Sequence, residues 1–239
     1  MKFSAFLFSF SLVFLFFACS KRNVVEKQKP PMPNITDTNT YTYLALGDSY
    51  TIGESVPYAD CFPAQTVALL NKTKKFTAPV IVAKTGWTTD ELAINITQKK
   101  IIGKFDFVSL LIGVNNQYRG RDTANYRKEF IQLLDTAIKF AGNNTGRVIV
   151  LSIPDWGITP FGMNSGRDIA QISKEIDWFN SIAKWVAGQR GVDFIDITPH
   201  SRTATADPAL IAGDGLHPSG KMYAYWAQQL SERILLKLK

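Results

Sequence analysis

The sequence predicts an α/β fold with a parallel sheet, and three observations support this prediction. From residue 41 onward, short apolar runs alternate with amphipathic stretches, a pattern typical of parallel strands joined by right-handed helical crossovers. Most of the runs are apolar throughout, as expected for strands that are covered on both faces. The chain has 239 residues, of which 46% are hydrophobic, and this is enough for one domain with a sizeable core.

The predicted elements follow one another in strand–helix order. The five apolar runs predicted as strands are residues 43–46, 80–83, 107–112, 148–153 and 194–197. The five amphipathic stretches predicted as helices are residues 62–71, 89–97, 123–140, 168–187 and 219–238. The last helix carries an apolar stripe at helical spacing, formed by Met222, Tyr225, Trp226, Ala227, Leu230, Ile234 and Leu238. In sheets of this type, the loops after the carboxyl ends of the strands carry the chemistry.

The N-terminal region has the pattern of an export signal. A short basic start is followed by an apolar stretch at residues 3–17 that is too short for a membrane-spanning helix. Cys19 directly follows Ala18, so the segment resembles a bacterial lipoprotein signal, in which residues 1–18 are removed and Cys19 is lipidated. The alternative is an ordinary signal peptide in which Cys19 is incidental. Residues 19–40 are polar and proline-bearing, as in a flexible tether. We therefore expect residues 41–239 to form an exported domain of the cell envelope, anchored to a membrane by its lipid.

Charge and cysteine content bear on the possible partners. The net charge of +7 is a moderate excess that favours anionic surfaces such as phospholipid headgroups. Basic residues do not cluster with aromatic ones, so nucleic acid is not an expected partner. Cys61 is expected to pack as a small apolar side chain. With two histidines and no H-E-x-x-H or Walker A string, we expect neither a metal site nor another cofactor.

A candidate nucleophile stands at the end of the first predicted strand. There the chain reads Gly47-Asp48-Ser49, and a serine on a tight turn from strand to helix exposes its hydroxyl. If a helix begins at this point, the free backbone N–H groups of its first turn, including that of Ser49, face an incoming anion. The alternative is that serine and aspartate simply cap the helix. Serine also requires a base to take its proton.

The candidate base lies far downstream, in the string Asp214-Gly-Leu-His217-Pro218. Pro218 disfavours helical geometry at His217, so we expect an extended loop in which Asp214 turns back onto the imidazole and fixes its tautomer. The alternative is a capping aspartate beside a surface histidine. His200, with Asp196 four residues before it, is the rival base. The chain lacks a G-x-S-x-G string, so a nucleophile elbow of the α/β-hydrolase type is not expected.

Two further loops offer hydrogen-bond donors for an oxyanion. Gly86 follows the second strand and could present an unobstructed N–H, and Asn115 and Asn116 follow the third strand, where an asparagine side chain could donate to a developing negative charge. The alternatives are a simple turn glycine and asparagines that satisfy local backbone.

The loop after the fourth strand is long enough to form the wall of a pocket. Its large side chains Trp156, Phe161 and Met163 are candidates for an acyl pocket, unless they fold back onto the core.

Taken in order, these strings resemble the sequence blocks of the SGNH hydrolases, also called the GDSL esterase/lipase family. The resemblance extends from Tyr43 to Lys239. It implies a three-layer α/β/α sandwich with a five-stranded parallel sheet, the flavodoxin-like fold of SGNH hydrolases. Two positions depart from the family pattern, since Tyr50 replaces a leucine and Asn116 stands where the family often has aspartate. Neither position carries the chemistry in this family.

The resemblance also implies a role for each site residue. Ser49 is the implied nucleophile, His217 the general base and then acid, and Asp214 the residue that orients His217. The implied oxyanion hole consists of the backbone N–H groups of Ser49 and Gly86 and the side chain of Asn115. The implied reaction is ester hydrolysis through an acyl-enzyme, without a metal or organic cofactor.

The substrate stays open at this point. The residues around Ser49 look most like those of lysophospholipase-type, short-chain acyl esterases. One alternative is a carbohydrate O-acetylesterase on the same fold, and another is a catalytically silent surface lipoprotein that uses the fold for binding. The expected partners are therefore a small-molecule or glycan ester, and the membrane that holds the anchor.

Overall fold

The structure is a computed structural model that describes residues 40–238. The predicted signal peptide, Cys19 and all of the predicted tether except residue 40 lie outside the described residues, so these assignments stay predictions. None of the helices in the described range combines the length and the apolar character that a membrane crossing requires.

The centre of the fold is a parallel sheet of five strands in the order β2-β1-β3-β4-β5. The strands are β1 (Tyr43–Gly47), β2 (Val80–Ala83), β3 (Phe107–Leu111), β4 (Val148–Leu151) and β5 (Asp193–Ile195). In the register of the sheet, Gly47 at the end of β1 stands opposite Ala83 on one side and Leu111 on the other. The carboxyl ends of the three strands are therefore level, and the loops that follow them begin at one edge. The predicted α/β class is confirmed.

The helices form a layer on each face of the sheet. They are α1 (Ser49–Ile52), α2 (Phe62–Leu70), α3 (Thr89–Gln98), α4 (Val114–Tyr118), α5 (Thr123–Phe140), α6 (Pro160–Met163), α7 (Ile169–Gln189), α8 (Thr198–Arg202) and α9 (Gly220–Lys237). Helix α2 packs against α9, while α5 packs against both α3 and α7. Right-handed crossovers produce this division, because the chain moves one way along the sheet from β1 to β2 and the other way from β2 to β5.

The predicted and observed ends of β4 and β5 differ for a local reason. The chain was expected to continue as strand to Ile153 and Ile197. Instead, Ile153 exchanges hydrogen bonds with the side chain of Asn180 on α7, at 2.8 and 3.0 Å. The backbone N–H of Ile197 donates to the hydroxyl of Ser152 at 2.8 Å. Hydrogen bonds to side chains thus take the place of hydrogen bonds between strands, and β4 and β5 end earlier than predicted.

The apolar stripe predicted for α9 agrees with the structure at most positions and is wrong at one. Met222, Trp226, Leu230 and Ile234 are buried as predicted. Tyr225 was assigned to the stripe, but it is exposed and stacks on His200, and the neighbouring Tyr223 is buried in its place. Residues 223 and 226 lie three apart, so both face α2 and the core.

Gly47 allows the closest approach between β1 and its surroundings. A Cβ atom at this position would overlap with the side-chain oxygen of Thr51 and with the carbonyl oxygen of Leu111. One contact is with the backbone of a buried strand, so no side-chain rotation can relieve it. The turn from β1 into α1 therefore requires a residue without a side chain.

We expect Gly47→Ala to lower the free energy of unfolding by about 1–3 kcal/mol, the usual cost of overpacking a core. Gly188→Ala is the matched control, because a Cβ atom there meets nothing within 4 Å and alanine stabilises a helix by up to about 1 kcal/mol relative to glycine. Urea unfolding of the two variants measures both effects. A Gly47→Ala protein as stable as wild type would contradict the close packing described here.

Candidate active site

The predicted site residues meet at the carboxyl edge of the sheet, beside the ends of β1 and β3. The connections from these strands leave in opposite directions along the sheet, and such a switch point leaves a crevice where α/β proteins bind ligands. A cavity of about 200 Å³ lies there. Its lining includes Ser49, Gly86, Asn115 and His217. Four of the five predicted catalytic and oxyanion residues thus face one space, although they come from four separate loops.

Ser49 is the first residue of α1, and its neighbour supplies the helix cap. The Oδ1 atom of Asp48 accepts the backbone N–H of Tyr50 at 3.0 Å. The capping alternative is therefore correct for Asp48, while the hydroxyl of Ser49 is not needed for the cap. Ser49 is 5% exposed and lies on the cavity wall at the N-terminus of α1, where backbone N–H groups have no partner within the helix.

Asp214 and His217 form a short, closed turn. His217 Nδ1 lies 2.6 Å from Asp214 Oδ2, and Asp214 Oδ1 accepts the backbone N–H groups of Leu216 and His217 at 2.9 and 3.0 Å. With Nδ1 engaged, Nε2 is the ring nitrogen that remains for proton exchange in the cavity. The extended loop expected from Pro218 is instead a tight turn at residues 213–217, although Asp214 does turn back onto the imidazole as predicted. The alternative of a surface histidine is wrong because His217 is buried.

The carboxyl group of Asp214 stays ionised at neutral pH. Partial burial raises its pKa, but hydrogen bonds from Ser55, from the His217 side chain and from the two backbone N–H groups outweigh this effect. The net result is a pKa well below the ordinary value. A negative charge therefore faces Nδ1 and favours a proton on that nitrogen.

His200, the rival base, lies elsewhere. Its ring stacks on Tyr225 with the centroids 3.8 Å apart, and it is not part of the cavity lining. Asp196 accepts hydrogen bonds from Ser152 and from the backbone of Thr198, at the end of β5. The surroundings of His200 are those of a packed surface histidine, and burial lowers its pKa.

The two asparagines after β3 have different surroundings. Asn115 lines the cavity, and its Nδ2 donates to the carbonyl oxygen of Trp87 at 3.0 Å. A side-chain amide has two N–H groups, so a second donor remains for a ligand. Asn116 is fully buried, accepts the backbone N–H of Thr89 at 3.1 Å and donates to its hydroxyl at 2.7 Å. Asn116 thus fixes the start of α3 against α4.

Gly86 belongs to the loop between β2 and α3. Its φ angle of +84° is one that glycine adopts readily and other residues rarely adopt. The carbonyl oxygen of Gly86 accepts a hydrogen bond from Arg119 at 2.6 Å. Further along the loop, Thr88 and Glu91 form a capping box at the start of α3. The loop is therefore held at both ends.

Aromatic rings form one wall of the cavity. Tyr118, Trp156 and Phe161 contact one another with centroid distances between 5.2 and 6.4 Å, and Trp156 Nε1 donates to the side chain of Gln117 at 2.7 Å. The prediction that Trp156 and Phe161 line the pocket is therefore confirmed. The prediction for Met163 is wrong, because this residue at the end of α6 is 53% exposed and does not line the cavity.

Sequence reasoning did not assign several residues of the lining, which are Tyr50, Thr85, Val114, Tyr118 and Leu216. Each lies within three residues of an assigned site residue, and this proximity is the signal that could have found them. Tyr50, one of the departures from the family pattern, packs edge-on against the His217 ring at 5.7 Å. In the described part of the chain, no group of three or more His, Cys, Asp or Glu residues is placed to hold a metal ion.

The fold and this cavity define the class of the protein. A flavodoxin-like strand order, with serine and an aspartate–histidine pair in the loops after the strands, is an arrangement suited to serine hydrolases without a nucleophile elbow. The model of the GDSL-like Lipase/Acylhydrolase family matches residues 45–225. The chain belongs to this family and is an ester-hydrolysing enzyme, as the resemblance implies.

Solved structures support the fold. The lipase/acylhydrolase from Enterococcus faecalis is 19% identical with a TM-score of 0.63, and the match covers 81% of this chain and 95% of that one. Axe2, an acetylxylan esterase from Geobacillus stearothermophilus, is 20% identical with a TM-score of 0.61, over 81% and 94% of the two chains. TesA is 18% identical with a TM-score of 0.57, over 83% and 98%. No curated protein matches the chain.

Asp48 is the second unusual carboxyl group near the cavity. It is fully buried, and its Oδ2 atom has no hydrogen-bond partner among the described residues. Burial raises its pKa from 3.8 to about 8, so the group is mostly protonated at pH 7. In the unfolded chain it ionises near its ordinary value. Its contribution to stability is therefore full below about pH 4 and is lost as the pH rises towards 8.

We expect Asp48→Asn to remove this pH dependence, because asparagine keeps the capping oxygen and does not ionise. Between pH 5 and pH 7, the wild type should lose about 1 kcal/mol of unfolding free energy per pH unit relative to the variant. Urea unfolding at several pH values measures this difference. Asp168→Asn, the same change at the N-cap of α7, controls for the substitution itself. A constant difference between wild type and Asp48→Asn would show that Asp48 is ionised in the fold.

Proposed function

We propose that this enzyme hydrolyses carboxylic esters through an acyl-enzyme formed on Ser49. The observation that carries the proposal is the shared cavity, whose lining includes both Ser49 and His217, while Asp214 holds the Nδ1 side of the imidazole. His217 Nε2 takes the proton of the Ser49 hydroxyl as its oxygen attacks the ester carbonyl. Asp214 holds the ring in the required tautomer and stabilises the imidazolium.

The same geometry supplies donors for the tetrahedral intermediate. The backbone N–H of Ser49, the backbone N–H of Gly86 and the free Nδ2 hydrogen of Asn115 are the proposed oxyanion hole. His217 then returns its proton to the alcohol, which leaves, and the acyl group stays on Ser49. In the second half of the reaction, His217 activates water, and the acid is released.

We further propose a short acyl chain as the preferred substrate. The cavity volume of about 200 Å³ lies below the roughly 300–1,000 Å³ of pockets that hold drug-sized ligands. Its wall of Tyr118, Trp156 and Phe161 is apolar, and the three rings contact one another. A lysophospholipase-like reaction fits only if the longer chain extends out of the cavity. Short acyl esters fit it as it stands.

A carbohydrate O-acetylesterase is the second candidate. An acetyl group is the smallest acyl chain of a natural ester, and the small cavity suits it equally well. Axe2, whose fold is similar, is an acetylxylan esterase. The two candidates differ in the alcohol portion, which lies outside the acyl cavity.

The catalytic assignment predicts a specific pattern of labelling and turnover. A fluorophosphonate probe is expected to label the wild type and not Ser49→Ala. His217→Ala is expected to lower kcat by at least about 10³-fold, because the serine then lacks its base. His200→Ala, the same change outside the cavity, should keep wild-type turnover. A folded wild type that resists the probe would instead support the catalytically silent binding protein.

The acyl-length assignment predicts a steep preference among p-nitrophenyl esters. We expect kcat/KM to be highest between acetate and butyrate and to fall at least about tenfold by octanoate, because extra methylene groups have no room. Phe161→Ala should move the optimum to longer chains, whereas Met163→Ala, two residues further along α6 and outside the cavity, should not. A wild-type optimum at octanoate or longer would contradict the short-chain proposal. Cleavage of acetylated xylan, but not of butyrate esters, would select the carbohydrate esterase.

A further inference from the structure

The carboxylate of Asp214 has four hydrogen-bond donors, and one of them comes from a distant part of the chain. Three belong to its own turn, namely the backbone N–H groups of Leu216 and His217 and the His217 ring. The fourth is the hydroxyl of Ser55, which donates to Asp214 Oδ2 at 2.6 Å across 159 positions of sequence. Oδ2 therefore receives both the His217 ring and Ser55.

This fourth donor matters because burial does not hold the carboxylate in place. The Asp214 side chain is 31% exposed, whereas that of His217 is 11% exposed. A partly exposed carboxylate rotates unless hydrogen bonds fix it, and the donors within its own turn move together with it. Ser55 belongs to a different element, so its hydroxyl ties the carboxylate to a separate part of the fold.

The segment that carries Ser55 touches three parts of the proposed catalytic machinery. The backbone N–H of Glu54 donates to the carbonyl oxygen of Ser49 at 3.0 Å. The Glu54 side chain accepts a hydrogen bond from Thr85, which precedes Gly86. Ser55 then reaches Asp214. Two consecutive residues thus connect the loop of the nucleophile, the loop of the proposed oxyanion glycine and the turn of the base.

The backbone conformation of Ser55 is unusual for serine, and this supports a functional role for its side chain. Its φ angle is +65°, in the left-handed region that few residues other than glycine, asparagine and aspartate adopt. A glycine would adopt this conformation without strain. A serine there is strained, and such residues occur mainly where the side chain has a task.

We propose that Ser55 is a positioning residue for the ester hydrolysis. Its hydroxyl donates to Asp214, fixes the orientation of the Asp214–His217 pair relative to Ser49, and acts on the reaction only through that pair. The inference rests on the proposed function, since it presupposes that His217 serves Ser49.

Two substitutions separate the hydroxyl from the backbone. Ser55→Ala removes the hydroxyl and keeps the strain, and Ser55→Gly removes the hydroxyl and relieves the strain. We expect both to lower kcat on p-nitrophenyl acetate by about tenfold, the order expected when a hydrogen bond to a charged group is lost, with KM changed less than twofold. The rate of fluorophosphonate labelling should fall by the same factor, because acylation uses the same base.

A merely structural role gives a different pattern. If Ser55 only shapes the turn, Ser55→Gly should turn over at least as fast as wild type, and this result would overturn the inference. Ser181→Ala is the matched control, because Ser181 donates to a backbone carbonyl on the exposed face of α7 and should keep wild-type kcat. Thermal unfolding of each variant verifies that the fold is intact.

The outcomes also distinguish the two proposals. If the probe labels wild type but not Ser49→Ala, and Ser55→Gly keeps full kcat, the inference alone fails. If the folded wild type is not labelled, the proposed function fails and the inference fails with it. A loss of kcat in both Ser55 variants, with unchanged KM and an intact fold, supports the role of the hydroxyl.

Discussion

The pairing of β1 with both β2 and β3 is the constraint on which the site depends. It places Gly47 level with Ala83 and Leu111, and the absence of a side chain at Gly47 lets α1 begin directly above the sheet. Ser49, Gly86 and Asn115 follow these three strand ends within four residues. Since parallel strands are fixed in register by their backbone hydrogen bonds, the relative positions of the three loops are fixed before any side chain of the site makes a contact.

Two carboxyl groups close to the site have pKa values shifted in opposite directions. Asp48 precedes Ser49 and is buried without a charged partner, so its pKa rises to about 8 and it is mostly neutral at pH 7. Asp214 receives four donors and is ionised. In the proposed reaction, negative charge is thus kept away from the carbonyl oxygen that becomes an oxyanion, and it is placed beside the imidazole that becomes an imidazolium. When the surroundings of two acids move their pKa values apart, the two acids commonly have different roles in catalysis.

The sequence predicts the strands and the long helices and misses the short helices. All five strands stand out as short apolar runs and the long helices have a hydrophobic period, and α5 has the same bounds as predicted. Helices α1, α4, α6 and α8 have four or five residues each, too few to show a period. Ser49, Gly86 and Asn115 could be predicted because each follows a strand end, whereas Asp214 and His217 could be predicted from their close spacing in the sequence. Ser55 and Asn116 could not be, since their roles depend on partners 159 and 27 positions away.

Tyr50, which stands where the family typically has leucine, supports the imidazole of His217. Its ring packs edge-on against His217 on one side and against Trp226 on the other, at 5.7 and 6.3 Å. Trp226 is fully buried between α9 and α2. The imidazole is therefore supported by a ring that is itself fixed by the core, and Trp156 and Tyr118 also line the cavity. Under the short-chain proposal, the buried rings of Tyr50 and Trp156 limit the cavity, because moving either ring requires its packed neighbours to move as well.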